Sequence, residues 1–370
     1  MICHAIKVKN FRNIEQAELT FDDGVNILVG NNAQGKTNLL EAISFTALGK
    51  SFRTTHEEEL IRFGSEMAEV SLDFSDSVRR QNVTVRMMRG KRRRIEHNHV
   101  KVSRLSDVVG AFRTVLFCPE HLSLIKDGPG ERRNYLDIAL SQLYPIYLKS
   151  LQRYNQILKQ RNQLIRAAED DRKTFSQTVE FWSSQLAREA AVIARYRTEY
   201  ISRAEGHVRD CFAEMTGEVE APSLIYAGSS HLSPDEYRDL ERTEKSYFDL
   251  LMNHHDREIG AGTTLWGIHK DDIEITINDR PARAFASQGQ QRSLALSMKL
   301  AEGEICKEEF GDYPVFLFDD VLSELDGTRR DYLINRMKDK QVIITTCEPD
   351  MIKSDTDAKK IYVRGGKYTY

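Results

Sequence analysis

Apolar and polar residues alternate at the start of the chain, at Ile6 and Val8 and again at Leu19 and Phe21, the period-two pattern of strands buried on one face. Asp22, Asp23 and Gly24 then supply a hairpin-type turn, and Val25 to Val29 follows as an apolar run of β character. Alternation returns at Val70, Leu72 and Phe74 and at Val83, Val85 and Met87, so the first third reads as strand-rich. Beyond Asp137 the period changes. Leu148, Leu151, Tyr154 and Leu158 recur at helical spacing, as do Trp182, Leu186, Ala190 and Ile193, then Tyr200, Ala204 and Val208. Asp170 and Asp171 mark a turn between two antiparallel helices of about 30 residues each, an arm of roughly 45 Å at 1.5 Å per residue. From Gly217 the pattern predicts mixed strands, a helix over residues 235–256 and a dense last third. There the unbroken apolar run up to Phe318 predicts a strand buried on both faces, and Leu294 to Glu302 an amphipathic helix.

Composition bounds this picture. A chain of 370 residues, 40% apolar and 29% charged, holds one large or two moderate globular domains. No apolar run approaches the about 20 residues that span a bilayer, and Met1 to Asn10 lacks the apolar core of a signal peptide, so a cytoplasmic protein without a membrane partner is expected. Five cysteines stand without metal-site or disulfide spacing and read as reduced, structural residues. The net charge of −3 means that any nucleic acid must meet a local basic patch or one assembled by dimerisation.

Candidate chemistry begins at GNNAQGKT: Gly30, Asn31, Asn32, Ala33, Gln34, Gly35, Lys36 and Thr37, between the strand ending at Val29 and a helix-prone LLEAI. Every fixed position of the Walker A pattern is met. Glycines let the backbone curl so that successive N–H groups and the helix N-terminus face phosphate oxygens. Lys36 is then placed to bridge β- and γ-phosphates and the Thr37 hydroxyl to ligate Mg²⁺. Downstream, PVFLFDD places Asp319 to hold Mg²⁺ and Asp320 to orient the attacking water. Between them, Ser287 and Gly289 of FASQGQQRS open the amphipathic helix, a second anion site that makes sense if it caps the γ-phosphate held by another copy of the chain. SQGQQ is similar to the signature motif of ATP-binding-cassette proteins, and SELD, Ser323 to Asp326, to their D-loop.

The basic run Arg89, Lys91, Arg92, Arg93 and Arg94 reads as the tip of a hairpin over residues 87–102, with two readings: a solvated turn, or a set of phosphate contacts to DNA. Arg132 and Arg133, at a helix start, divide evenly between DNA contacts and internal salt bridges.

Six segments carry a resemblance over the full length: NFRN at Asn10 to Asn13, GNNAQGKTNLLEAI, FCPEHLSLIKDGPGERRNYLD, GIHKDDIEITIN, FASQGQQRS and LFDDVLSELD. Together they resemble the RecF family of bacterial recombinational repair, relatives of the SMC and Rad50 group. The resemblance implies an α/β, P-loop, ABC-type (Rad50-like) ATPase lobe with an inserted helical arm lobe. Residues 1–130 and 217–370 would form the ATPase lobe and residues 131–216, or on to about 260, the arm. It implies ATP and Mg²⁺ as cofactors, an ATP-sandwich homodimer, and double-stranded and gapped DNA as partners. It further implies action with RecR, and with RecO and RecA downstream, and a weak, DNA-stimulated ATPase used as a dimerisation switch. Arg12 resembles a nucleotide-contacting arginine of that family, or makes a surface ion pair. Departures stand at Ile268 and Lys270, where the family usually has Pro and Arg, and at His97 to His99. No Q-loop glutamine is evident, though Pro119 and Glu120 occupy a suitable place. A P-loop kinase would have no use for SQGQQ or SELD, an SMC-like tether needs a far longer coil, and a transporter subunit requires a membrane partner.

Overall fold

In the computed structural model, which describes residues 1–217, 220–348 and 358–370, the strands in chain order begin with β1 (Ile2–Phe11), β2 (Ile14–Thr20), β3 (Val25–Val29) and β4 (Met67–Ser75). Then come β5 (Arg80–Met88), β6 (Lys91–His97), β7 (Val100–Val102), β8 (Thr114–Phe117), β9 (Pro222–Ala227), β10 (Asp272–Ile277) and β11 (Arg280–Pro281). The last four are β12 (Val315–Asp319), β13 (Val342–Thr346), β14 (Ala358–Arg364) and β15 (Lys367–Thr369). The helices are α1 (Lys36–Leu48), α2 (Ser123–Lys126), α3 (Pro129–Leu143), α4 (Pro145–Ala167) and α5 (Arg172–Thr216). They continue with α6 (Leu240–Asn253), α7 (His255–Ala261), α8 (Ala282–Phe285), α9 (Gln288–Phe310) and α10 (Gly327–Arg336).

Two compact units divide the chain. The first takes Met1–Leu122, Glu214–Gly217 and Arg292–Tyr370. One of its sheets, in the order β2-β1-β4-β5-β6-β7, is antiparallel. The other, β15-β14-β3-β13-β12-β8, is parallel except for the terminal hairpin β14–β15. Helix α1 packs between them, and Leu39, Leu40, Ile43 and Phe45 share one core with Phe11, Val70 and Val85 of one sheet and Leu317 and Ile343 of the other. That position explains why its apolar residues do not keep to one face. β3, β12 and β13 are buried along their whole length, as strands covered on both faces must be.

The second unit takes Ser123–Ala213 and Glu218–Gln291. It holds the sheet β11-β10-β9 and the helices α3 to α7, with Ile165, Phe175, Val179 and Ile259 in one apolar cluster. The arm helices are unequal: α4 has 23 residues and α5 has 45, where equal lengths were expected. Pro145 opens α4 late, whereas no proline interrupts α5 and the lone Gly206 within it does not end the helix.

The unit boundaries differ from the expected ones. Residues 220–291 cluster with the helices rather than with the ATPase strands, because Asp272 of β10 pairs with Arg132 of α3 and Glu258 of α7 pairs with Arg161 of α4. The helix expected over residues 235–256 is two, α6 started by the Asp239 cap and α7 ended by Gly262 in the left-handed region.

Candidate functional site

The parallel register puts the end of β3 and the end of β12 on one sheet edge, with β13 between: Thr345 lies beside both Leu28 and Asp319. From Val29 the chain enters the loop Gly30 to Gly35 and emerges as α1, with Gly35 as N-cap at φ 110°. That φ favours glycine, and a Cβ there would also sit 3.0 Å from Asn13 Oδ1.

Lys36 is buried, and its Nζ donates to the carbonyls of Gly30 and, at 2.9 Å, Asn31; it also lies 3.4 Å from Cys347 Sγ. The Thr37 hydroxyl donates to Asp319 Oδ1 at 2.9 Å. The Thr345 hydroxyl donates to the same oxygen at 2.7 Å and accepts from the Asp320 N–H at 2.9 Å. Burial raises the Asp319 pKa above the ordinary carboxylate value against the pull of those two hydroxyls, and the charges of Glu120 and Asp320 push it the same way. Asp320 is held at φ 51°, where its carbonyl accepts from Ser323 at 2.7 Å. A glycine-flanked loop, a buried amine and a carboxylate bound, among the described residues, only by hydroxyls therefore meet at one edge.

Arg12 forks onto Glu41 with Nε–Oε2 3.0 Å and NH2–Oε1 2.8 Å, and Glu41 has no exposed side-chain surface. Arg12 therefore does make an ion pair, with a buried carboxylate in place of the surface partner expected. A cleft of about 1220 Å³ opens beside it, lined by Arg12, Asn13, Asn38, Arg53, Arg62 and the fully exposed Phe63. At the start of α9, Ser287 Oγ accepts from Gln290 N–H while Gln290 Oε1 accepts from Ser287 N–H at 2.6 Å, a capping box that uses the Ser287 hydroxyl within its own turn. In the D-loop segment, Asp326 caps α10 through Arg329 N–H and Glu324 pairs with Arg292 at 2.8 Å.

A family model described as the RecF/RecN/SMC N-terminal domain matches residues 2–369. DNA replication and repair proteins RecF of Bacillus cereus and Bacillus anthracis are 37% and 36% identical over 374 residues, each alignment covering 99% of this chain and 98% of the relative. The chain belongs to the RecF family. Solved structures of a recombination mediator protein RecF, two states named for ATPrS and ATP, superpose with TM-scores of 0.92 and 0.91 at 32% identity. They cover 99% of this chain and 97% and 96% of theirs. An Smc head domain from Pyrococcus furiosus, 17% identical with a TM-score of 0.58, shares the fold.

Within this RecF-family chain the basic candidates separate. Arg93 is tied down, donating to Gly49 O at 2.9 Å and Glu57 Oε1 at 2.7 Å, so it is not free for phosphate. Arg132 is buried and forks onto Asp272, with further bonds to the carbonyls of Leu124 and Asp127. It is an internal salt bridge and not a DNA contact. Arg133 donates to Asp271 O at 2.8 Å. Arg92 and Arg94 remain exposed, with no carboxylate partner among the described residues. They share the face of β6 opposite the buried Ile95, on the strand rather than at a hairpin tip.

Thr345 and Glu41 had drawn no assignment from the sequence, and Cys347 only that of a reduced, structural residue. The first stands in ITT just ahead of Cys347, a polar end to an apolar strand, which is the one local signal that could have raised it.

Proposed function

We propose that this chain is an ATP-dependent DNA-binding protein of recombinational repair that dimerises on ATP. The Thr37–Asp319 contact at 2.9 Å carries the nucleotide part of this reading, because it puts the loop that would hold phosphates and the carboxylate that would hold their metal at one point. Thr37 and Asp319 are hard oxygen donors, and no cluster of three acidic, His or Cys side chains fit for a metal stands among the described residues; that suits Mg²⁺, which takes one or two protein oxygens and the rest from phosphate and water. Bound Mg²⁺ would neutralise charge on the phosphates. Lys36, already donating to two carbonyls, exchanges them for phosphate oxygens, and Asp320 orients the attacking water.

A second copy supplies the other half. Gly289 backbone and Ser287, at the start of α9, face the γ-phosphate held by the partner, so ATP stabilises the closed pair by contacts that hydrolysis removes. Asp320 is one methylene shorter than glutamate, so turnover is slow and serves as a switch. Arg92 and Arg94 contribute to the DNA surface of the closed pair. Kinship with proteins named for DNA replication and repair, and with a structure assigned to the RecFOR pathway, supports gapped DNA, RecR, RecO and RecA as the wider setting.

Sedimentation with a non-hydrolysable ATP analogue tests the clamp. Wild type is expected to dimerise and Lys36→Met to stay monomeric; monomers of wild type at saturating analogue overturn it.

A further inference from the structure

The phosphate loop is gripped from outside by the C-terminal hairpin. Gly365 and Gly366 form its two-residue turn, both at positive φ (57° and 74°), the geometry that suits a twisted hairpin and that glycine adopts freely. From that turn Gly365 N–H donates to Gln34 Oε1 at 2.6 Å, and Gly366 N–H to the Gln34 carbonyl at 2.8 Å. Tyr368 Oη donates to the Gly35 carbonyl at 3.0 Å, which also accepts the first helical bond from Leu39 N–H at 3.1 Å. A Cβ on Gly366 would sit 2.8 Å from Asn13 O, so the turn lies directly against the neighbouring backbone. At the far end, Tyr370 Oη accepts from Thr20 N–H at 2.8 Å and Lys359 pairs with Asp22 at 3.2 Å, which anchors the hairpin to β2 and the turn that follows it.

A trans peptide is planar, with its N–H directed opposite to its C=O. Holding the carbonyls of Gln34 and Gly35 on the hairpin side therefore turns the N–H groups of Gly35 and Lys36 away from it. We propose that the hairpin β14–β15 is a positioning element of the nucleotide site, with Gln34, Gly366 and Tyr368 aiming two successive phosphate-loop N–H groups at the bound phosphates. This rests on the reading of the loop as an ATP site. The hairpin lowers the ordering cost of binding and takes no part in bond breaking, so its effect falls on affinity.

Titration calorimetry with ATP and with inorganic triphosphate, both with Mg²⁺, reads the effect directly. Tyr368→Phe, which keeps the ring, and Gln34→Leu are each expected to weaken both ligands by roughly fivefold, the scale of one hydrogen bond. KM for ATP should rise by the same factor in Tyr368→Phe, with kcat unchanged and the ligand-free melting temperature lowered by no more than about 2 °C, the share of one hydrogen bond in a chain of this size. Tyr362→Phe removes an exposed hydroxyl from the same hairpin and leaves both affinities as they were. Wild-type affinity in Tyr368→Phe and Gln34→Leu overturns the inference while leaving the ATP reading intact. So does a loss confined to ATP, which would place the effect on the nucleoside, or a loss accompanied by a much larger fall in melting temperature. A wild-type chain that binds neither ligand overturns both.

Discussion

Two buried sets of charges, one in each unit, are handled in opposite ways. In the second unit Arg161 and Glu258, neither with any exposed side-chain surface, pair at 2.6 Å. Arg161 also donates to Ser183, Thr264 and the Leu251 carbonyl, and Glu258 accepts Leu265 N–H at 2.9 Å, so charge and hydrogen bonds are both satisfied. In the first unit Lys36 and Asp319 are nearly as buried, yet neither touches an opposite charge among the described residues. The amine rests on carbonyls, and the carboxylate on two hydroxyls. A saturated pair is part of the scaffold. Charges solvated only by neutral dipoles are held for a ligand that completes them.

The sharpest way to break this contrast is to remove one cation from each set. Arg161→Met strands a buried carboxylate and is expected to cost about 3–5 kcal/mol of stability, much of it recovered in Arg161→Met/Glu258→Leu. Lys36→Met removes no ion pair and is expected to keep its denaturation midpoint while losing ATP binding. Urea titration of the three variants decides it: a Lys36→Met chain as unstable as Arg161→Met would make the two sets equivalent.

Next in size is Asp320→Asn. It should lower ATP turnover roughly 100-fold, as loss of a water-orienting base does, with the analogue-induced dimer intact in sedimentation. Unchanged turnover would return Asp320 to the scaffold class, as no more than the residue that follows β12. Reversing Arg92 and Arg94 to Glu sharpens the contrast at the surface: DNA affinity should fall and the slope of log affinity against log salt become shallower by about 2, measured by anisotropy on duplex DNA. Arg93→Glu should instead act through stability, since its partners are Glu57 and Gly49.

What the sequence made legible follows the same division. Val25 to Val29 and the run up to Asp319 are strands in the structure, since unbroken apolar runs next to a glycine loop or paired aspartates leave few alternatives. The loop, its helix and the two carboxylates were readable because their residues sit in short, fixed spacings. Partners far along the chain were not. Arg132 could be divided only evenly between DNA and salt bridge, because Asp272 lies 140 residues away. Gln34 meets Gly365 across 331 residues. The ion pairs that draw residues 220–291 into the second unit, Arg132 to Asp272 and Arg161 to Glu258, join residues far apart in the chain, about which local pattern is silent.

The smallest expected effect bears most directly on why Asp319 lacks a cation. Burial raises its folded pKa above the ordinary value of 3.8, so the folded chain prefers the protonated acid. A group of that kind contributes stability below its unfolded pKa and loses it as pH rises through the folded value. Near neutral pH the ionised carboxylate therefore weighs against folding. Asp319→Asn keeps an oxygen for the Thr37 and Thr345 hydroxyls and carries no charge, so in chelator it should be the more stable chain by about 1 kcal/mol, the scale at which a site residue trades stability for function. The margin should shrink as pH falls toward 3.8, where the wild-type acid is itself neutralised. Adding Mg²⁺ and ATP should reverse the order, since only the carboxylate gains from the metal. Urea titrations near neutral pH and near pH 5, each with chelator and with Mg²⁺ and ATP, give all four comparisons. Parallel pH profiles for the two chains would mean that two hydroxyls satisfy Asp319 as fully as an arginine satisfies Glu258, and the contrast between the two buried sets would lose its physical basis.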